Sequence, residues 1–149
     1  MSVLPILIGA DHPMLRKKTK PVAKVTKEIL KLLKDMQETV KDADGAGIAA
    51  PQIGRTERIC LALISGKMIP LINPKITAKS KEQETAEEGC LSLPGIAVSI
   101  PRSVEITLKY MDAKGKPQER KLRDFDARVV QHEVDHLEGV LIVDYAQNI

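Results

Sequence analysis

Ala127-Arg128-Val129-Val130-Gln131-His132-Glu133-Val134-Asp135-His136-Leu137-Glu138-Gly139 is the stretch on which the reading turns. His132 and His136 lie four residues apart, so on a helix they project from one face and can hold one ion through neutral imidazole nitrogens. Glu133 stands one residue along, placed to take a proton from a water activated at that ion. Val129, Val130, Val134 and Leu137 flank the motif and predict a largely buried helix, where unpaired imidazoles and a carboxylate would be costly. The helix is expected to begin near Asp124 or Asp126, to run to Glu138 and to stop at Gly139. By itself the stretch points to a metal-dependent hydrolase.

A catalytic site of this kind needs a third protein ligand and an open position for water. One protease pattern would supply a further His downstream, but Ile142 stands in that place, and a Glu well downstream has no room before Ile149. The upstream candidates are His12, Cys60 and Cys90. His12 sits in Asp11-His12-Pro13, a turn-like and exposed setting. Cys60, between Ile59 and Leu61, reads as a small core residue. Cys90 lies in Glu87-Glu88-Gly89-Cys90-Leu91-Ser92-Leu93-Pro94-Gly95, a break in pattern where Gly89 lets backbone approach a metal. A bound cation would deprotonate such a thiol and make it a good ligand.

The rest of the chain supplies elements around this helix. Ile29, Leu32, Leu33, Met36 and Val40 recur at helical spacing from Thr26 to Val40, with Thr26 as N-cap and Asp42 to Gly45 as the stop. Gly45-Ala46-Gly47-Ile48-Ala49-Ala50-Pro51-Gln52-Ile53-Gly54 is expected to be a loop that brings backbone close to something. Arg58 to Ile64 and Met68 to Ile72 read as short buried strands broken at Ser65-Gly66. Val104, Ile106, Leu108 and Tyr110 alternate with polar residues, and Asp112 to Gly115 turns into a partner strand near Gln118 to Leu122, an antiparallel hairpin.

Composition narrows the function classes. At 149 residues, with 43% apolar and 29% charged residues, the chain has the balance of one globular domain, and a single catalytic domain over 1–149 is expected. One Phe, two Tyr and no Trp leave Ile, Leu and Val to build the core and count against a single-strand nucleic-acid binder. A net charge of +3 is too mild to demand a polyanionic partner, so no DNA is expected. No apolar run is long enough for a membrane span, and the N-terminal stretch lacks the features of a signal peptide. A cytoplasmic location, or the cytosol of an organelle or host according to origin, is the expectation, with Cys60 and Cys90 unpaired.

Three segments together resemble the peptide deformylase family: Gly45 to Gln52, Glu88-Gly89-Cys90-Leu91-Ser92, and Gln131-His132-Glu133-Val134-Asp135-His136-Leu137, in that family's order and spacing. The similarity runs from about Leu4 to Tyr145. The resemblance implies an α+β fold with antiparallel β-sheets packed around a central metal-binding helix. It implies that Cys90, His132 and His136 bind the metal and that Glu133 is the general acid/base. Gln52 and the backbone N–H of Leu91 would stabilise the oxyanion, and Gly47 would offer backbone groups to the substrate. The implied reaction removes the N-formyl group from the initiating Met of nascent polypeptides and releases formate. One divalent ion is implied, Fe2+ in the cell, with Zn2+, Ni2+ or Co2+ able to occupy the same site. N-formyl-Met nascent peptides are the implied partners, with a transient encounter at the ribosome.

Glu88 is expected to orient a ligand imidazole, and Arg102 to pair with Glu88 or Asp135. In the family's Met-side-chain pocket, Phe125 and Val129 are suitably apolar, whereas Arg128 and Ala97 depart from the pattern. Most bacterial members carry a further C-terminal helix after the Asp144-Tyr145 region, so this sequence reads as a short form. Two rival functions are a metallopeptidase and a non-catalytic metal-binding module. The missing downstream ligand and the Cys90 motif count against the first, and the second has no use for Glu133 or an open coordination position.

Overall fold

A computed structural model describes residues 2–146. Thr26 caps the first helix, α1 (Lys27–Asp42), its hydroxyl accepting from the Ile29 N–H as the sequence leads one to expect. The second helix, α2 (Asp124–Leu137), carries the histidine motif and ends at Glu138, with Gly139 at φ +77 providing the left-handed stop. A side chain at Gly139 would also put a Cβ 2.5 Å from the Arg16 carbonyl oxygen, so two independent constraints hold that glycine.

Five strands form one antiparallel sheet: β1 (Gly47–Ala49), β2 (Ile59–Ile64), β3 (Lys67–Lys79), β6 (Glu105–Met111) and β7 (Pro117–Arg123), in the order β1-β2-β3-β6-β7. Ser65 and Gly66, both at positive φ, make the two-residue turn that joins β2 to β3. The expected hairpin after Val104 is present as β6 and β7, paired from Glu105↔Arg123 to Met111↔Pro117. A second, two-stranded sheet pairs β4 (Gln83–Cys90) with β5 (Leu93–Ser103).

Burial explains why β2 is apolar without alternation. Cys60, Ala62 and Ile64 pack in a cluster with Ala127, Val130 and Leu137 of α2, while Ile59 and Leu61 pack with Leu32, Leu33 and Met36 of α1. The strand is thus covered on both faces, as a continuous apolar run requires. Gln131 fastens α2 to the end of β5. Its amide nitrogen donates to the Ser103 carbonyl at 2.9 Å and its oxygen accepts from the Ser103 N–H at 3.2 Å.

Three local readings need correction. Gly45 to Gly54 is not wholly irregular: it contains β1 and a 3-10 turn over Ala50–Ile53, because Gly47, Ile48 and Ala49 pair with Ala62, Leu61 and Cys60. Strand β3 continues past Ile72 to Lys79 by absorbing register shifts between Ile72 and Lys75 and between Ile76 and Ala78. Pro74, which has no N–H to pair, lies inside the first of these irregularities. The segment around Cys90 is the turn of a β-hairpin rather than a simple break. Among the described residues, no helix is long and apolar enough to cross a membrane.

Candidate metal centre

Cys90 and His132 are brought together by two elements of different kind. The β4–β5 register shifts between Glu88 and Cys90, and this irregularity sets Cys90 at the strand end opposite Leu93. From α2, His132 and His136 present their rings from successive turns. One donor atom from each of Cys90, His132 and His136 lies within 4.8 Å of the others, and the His136 Nε2 is 3.4 Å from the Cys90 sulfur. These are the three residues expected from the sequence. The other candidates are occupied elsewhere: Cys60 is fully buried in β2, and the His12 Nδ1 accepts from the Met14 N–H in a short turn.

The cluster fits a divalent cation on its own chemistry. A thiol and two imidazoles form a soft, nitrogen- and sulfur-rich donor set. Glu133 is buried and its Oε1 has no hydrogen-bond partner, as is also true of the buried His136 Nδ1. Unpaired polar atoms at this depth are costly unless a ligand completes them. Burial alone would push the pKa of His132 down, but in the ion-free protein Cys90 and Glu88 outweigh it and push it up to about 10. Burial pushes Glu133 up to about 7 and, with the His132 and Arg102 charges, His136 down to about 3.

Glu88 organises the surroundings. It is 7% exposed, and its carboxylate accepts from both sides of the Arg102 guanidinium at 2.9 Å, from Arg128 at 2.6 Å, and faces the His132 Nδ1 at 2.8 Å. The last contact turns the other ring nitrogen toward the donor cluster. Burial would raise the Glu88 pKa, yet Arg102 and His132 prevail and hold it well below the usual carboxylate range. Arg102 pairs with Glu88 and Asp135 together rather than with one of them. The Tyr145 hydroxyl donates to Asp135 at 2.6 Å and its ring lies 4.9 Å from the Arg102 guanidinium carbon. Sequence reasoning missed the Tyr145 contact, which no periodicity signals. It also missed the Arg128–Glu88 pair, although Arg128 lies one helical turn before His132.

An open cleft of about 440 Å³ leads to the cluster. Gln52, Leu91, Gly47, Glu133 and Val129 line it, and Phe125, 58% exposed, stands at its edge. The Gln52 oxygen accepts from the Ala49 N–H, and its amide nitrogen donates to the Ser92 hydroxyl at 3.1 Å and lies 3.9 Å from the Cys90 sulfur. Arg128 lines the cleft, whereas Ala97 is exposed.

Gly47 sits in β1 with its Cα against Glu133. A Cβ there would meet the Glu133 Oε2 at 2.5 Å and the Leu61 carbonyl at 2.7 Å. Because Leu61 is fixed backbone of β2, Gly47→Ala must displace the carboxylate or β1. A displacement of this kind can lower turnover by about 100-fold. Steady-state turnover is expected to fall by that order, with a smaller loss in the melting temperature.

The ion-free protein is expected to be acid-labile. His136 is neutral in the fold and has an ordinary pKa of 6.5, so its contribution is present above that value and is lost as pH falls toward about 3. Glu88 contributes above its ordinary value of 4.5 and loses that contribution below it. Glu133 and His132 have raised values and the opposite sign: their contributions are present at low pH and decline as pH rises through about 7 and about 10. Glu133 therefore offsets His136 between pH 4.5 and 6.5. Below pH 4.5 His136 and Glu88 act together, and the melting temperature of chelated protein should fall steeply there. In Glu88→Gln the fall should be shallower.

Two imidazoles and a thiol at the foot of an open cleft, with a buried carboxylate beside them, define the class as a metal-dependent hydrolase. Residues 4–149 match the family model described as polypeptide deformylase. The peptide deformylase of Pseudothermotoga lettingae is 49% identical over 89% of this chain and 77% of its own length. A crystal structure of peptide deformylase from Thermotoga maritima superposes with a TM-score of 0.94 at 43% identity, covering 97% of this chain and 98% of that one. A Met-Ala-Ser-bound class I type b peptide deformylase from Acinetobacter baumannii gives 0.92 at 31% identity, covering 97% and 99%. The chain belongs to the polypeptide deformylase family. It is an enzyme of that family, a hydrolase that removes the N-formyl group from nascent polypeptides.

Proposed function

We propose that Cys90, His132 and His136 hold one divalent ion, ferrous iron in the cell, and that Glu133 is the acid/base group of the deformylation. The convergence of the three donor atoms within 4.8 Å, beside a buried carboxylate without a partner, carries this reading. Zinc, nickel or cobalt suits the same donors. When bound, the ion supplies Lewis acidity, making water nucleophilic near neutral pH and polarising the formyl oxygen.

The remaining steps belong to the protein. Glu133 takes the proton of the attacking water and returns it to the amine of the departing methionine. Burial suits it to both tasks, since desolvation raises the carboxyl's pKa toward neutrality in the ion-free protein and so opposes the pull of a bound cation. The Gln52 amide and the Leu91 N–H donate to the formyl oxygen as it gains charge. Gly47 leaves the space in which the Glu133 carboxylate lies, and its backbone borders the substrate. Glu88 fixes the ring of His132. The methionine side chain lies along the α2 face formed by Val129 and Phe125, opposite Ile96. The relative that binds Met-Ala-Ser supports a peptide with N-terminal methionine as ligand. The substrate end is met transiently at the ribosome, in the cytosol.

Cobalt loading tests the ligand set. The Co2+ protein should show the absorption of low-symmetry coordination together with a thiolate charge-transfer band. Cys90→Ala should lose that band, and its persistence would remove Cys90 from the ligand set.

A further inference from the structure

Residues 2–9 form neither helix nor strand, yet they are fastened along their length. The Ser2 N–H donates to the buried Asp35 carboxylate at 3.0 Å and the Leu4 N–H to the buried Thr39 hydroxyl at 2.8 Å, both on α1. Ile6 then packs into the α1 cluster and Leu7 into the cluster of Leu93 and Ile100, which Cys90 also joins. Val3 and Ile8 are exposed.

This strap ends on the two segments that carry the oxyanion donors. The Leu7 N–H donates to the Gln52 carbonyl at 2.7 Å, and the Gly9 N–H donates to the carbonyl of Ser92, next to Leu91, at 2.9 Å. Gln52 lies in the 3-10 turn, where the Ala50 and Pro51 carbonyls accept from the residues that follow, and Ser92 lies in the turn between β4 and β5. Both residues are buried, so each carbonyl needs a partner, and the strap supplies it. The Gln52 amide also donates to the Ser92 hydroxyl, which closes a ring through Leu7, Ile8 and Gly9. Two residues of chain span at most about 7 Å, so the strap limits how far apart the two segments can sit. Gly9 leaves the ring at φ +107 with open space around its Cβ position, so backbone conformation rather than crowding calls for glycine there.

We infer that Leu7 and Gly9 are positioning residues for the oxyanion site, their N–H groups holding the Gln52 amide and the Leu91 N–H at a fixed separation. The inference rests on the reading of Gln52 and Leu91 as donors to the formyl oxygen given above. Such donors act on charge that develops in the transition state, so their displacement lowers kcat rather than raising KM.

Leu7→Pro removes the N–H that reaches Gln52. The test is the kcat of the metal-loaded enzyme on formyl-Met-Ala-Ser, with and without Gln52→Ala. Leu7→Pro alone should lower kcat about tenfold, short of the hundredfold that a 1 Å misplacement can cost, with KM and metal content unchanged. In the Gln52→Ala background it should cost less than about twofold, because the donor it places is gone. A general loosening of the fold would lower kcat equally in both backgrounds. If the proline variant does not fold, replacing Leu7 by its α-hydroxy acid puts an ester oxygen where the N–H was, keeps the side chain, and should give the same pattern. An unchanged kcat in a folded Leu7 variant, or an equal fall in both backgrounds, would overturn the inference. Full kcat in Gln52→Ala alone, or no formate from the wild type, would instead overturn the reading of the main site on which it rests.

Discussion

Glu133→Ala is expected to lower kcat for deformylation roughly a thousandfold while the ion remains bound, within the range that a general acid/base contributes. The residue does not belong to the three-donor cluster, so its removal leaves Cys90, His132 and His136 intact. Its carboxylate is 4% exposed, and the Oε1 lacks any hydrogen-bond partner. Nothing in the packing repays that burial, and the melting temperature should accordingly change far less than the rate. Formate release and metal content, measured on the same preparation, check both halves. A variant that kept its metal and its full rate would remove Glu133 from the reaction.

Glu88→Ala is expected to have the largest structural effect. The substitution deprives Arg102, Arg128 and His132 of a shared buried acceptor. Removing one partner of a buried ion pair typically costs about 3–5 kcal/mol, because the remaining charge is left uncompensated. Asp135 still compensates Arg102 in part, which favours the lower end of that range. His132 also loses the contact that orients its ring, and metal affinity should fall by about 10- to 100-fold. Denaturant unfolding of the chelated protein reads the first effect, and a competitive metal titration reads the second. Unchanged metal affinity would show that His132 is positioned without Glu88.

The parts of the molecule legible from sequence are those where one physical signal dominates. Helix α2 declared itself through His132 and His136 four apart, buried Val130 and Leu137, and Gly139 at the stop. Helix α1 did so through its apolar spacing and the Thr26 cap. The β6–β7 hairpin followed from alternation up to Tyr110 and the turn at Asp112 to Gly115. The β4–β5 hairpin was hidden for opposite reasons. Most of β4 is polar and exposed, with Glu84 and Glu87 facing solvent, and β5 carries Pro94, Gly95 and Pro101, which read as loop punctuation. Its pairing depends on long-range register, which no local pattern encodes. Strand β1 escaped for a related reason: three residues among glycines form a strand only because β2 lies beside them.

The site was legible in its donors and less so in its supports. Cys90, His132 and His136 carry chemistry that their residue types announce, and Glu88 and Arg102 were expected beside them, whereas the arrival of Arg128 on the same carboxylate was not. Arg102 comes from β5 and Arg128 from α2, and both end on one carboxylate. Tyr145 joins through Asp135 from a short C-terminal turn. Such convergence is a property of the folded chain.

We read Cys90, His132, His136 and Glu133 as together forming a metal-dependent deformylase centre. Its most direct test is formate release from a formyl-Met-Ala-Ser peptide by anaerobically iron-loaded protein. Stoichiometric formate that requires the metal and is abolished on chelation is the expected result. No formate from protein carrying one iron per chain would contradict it.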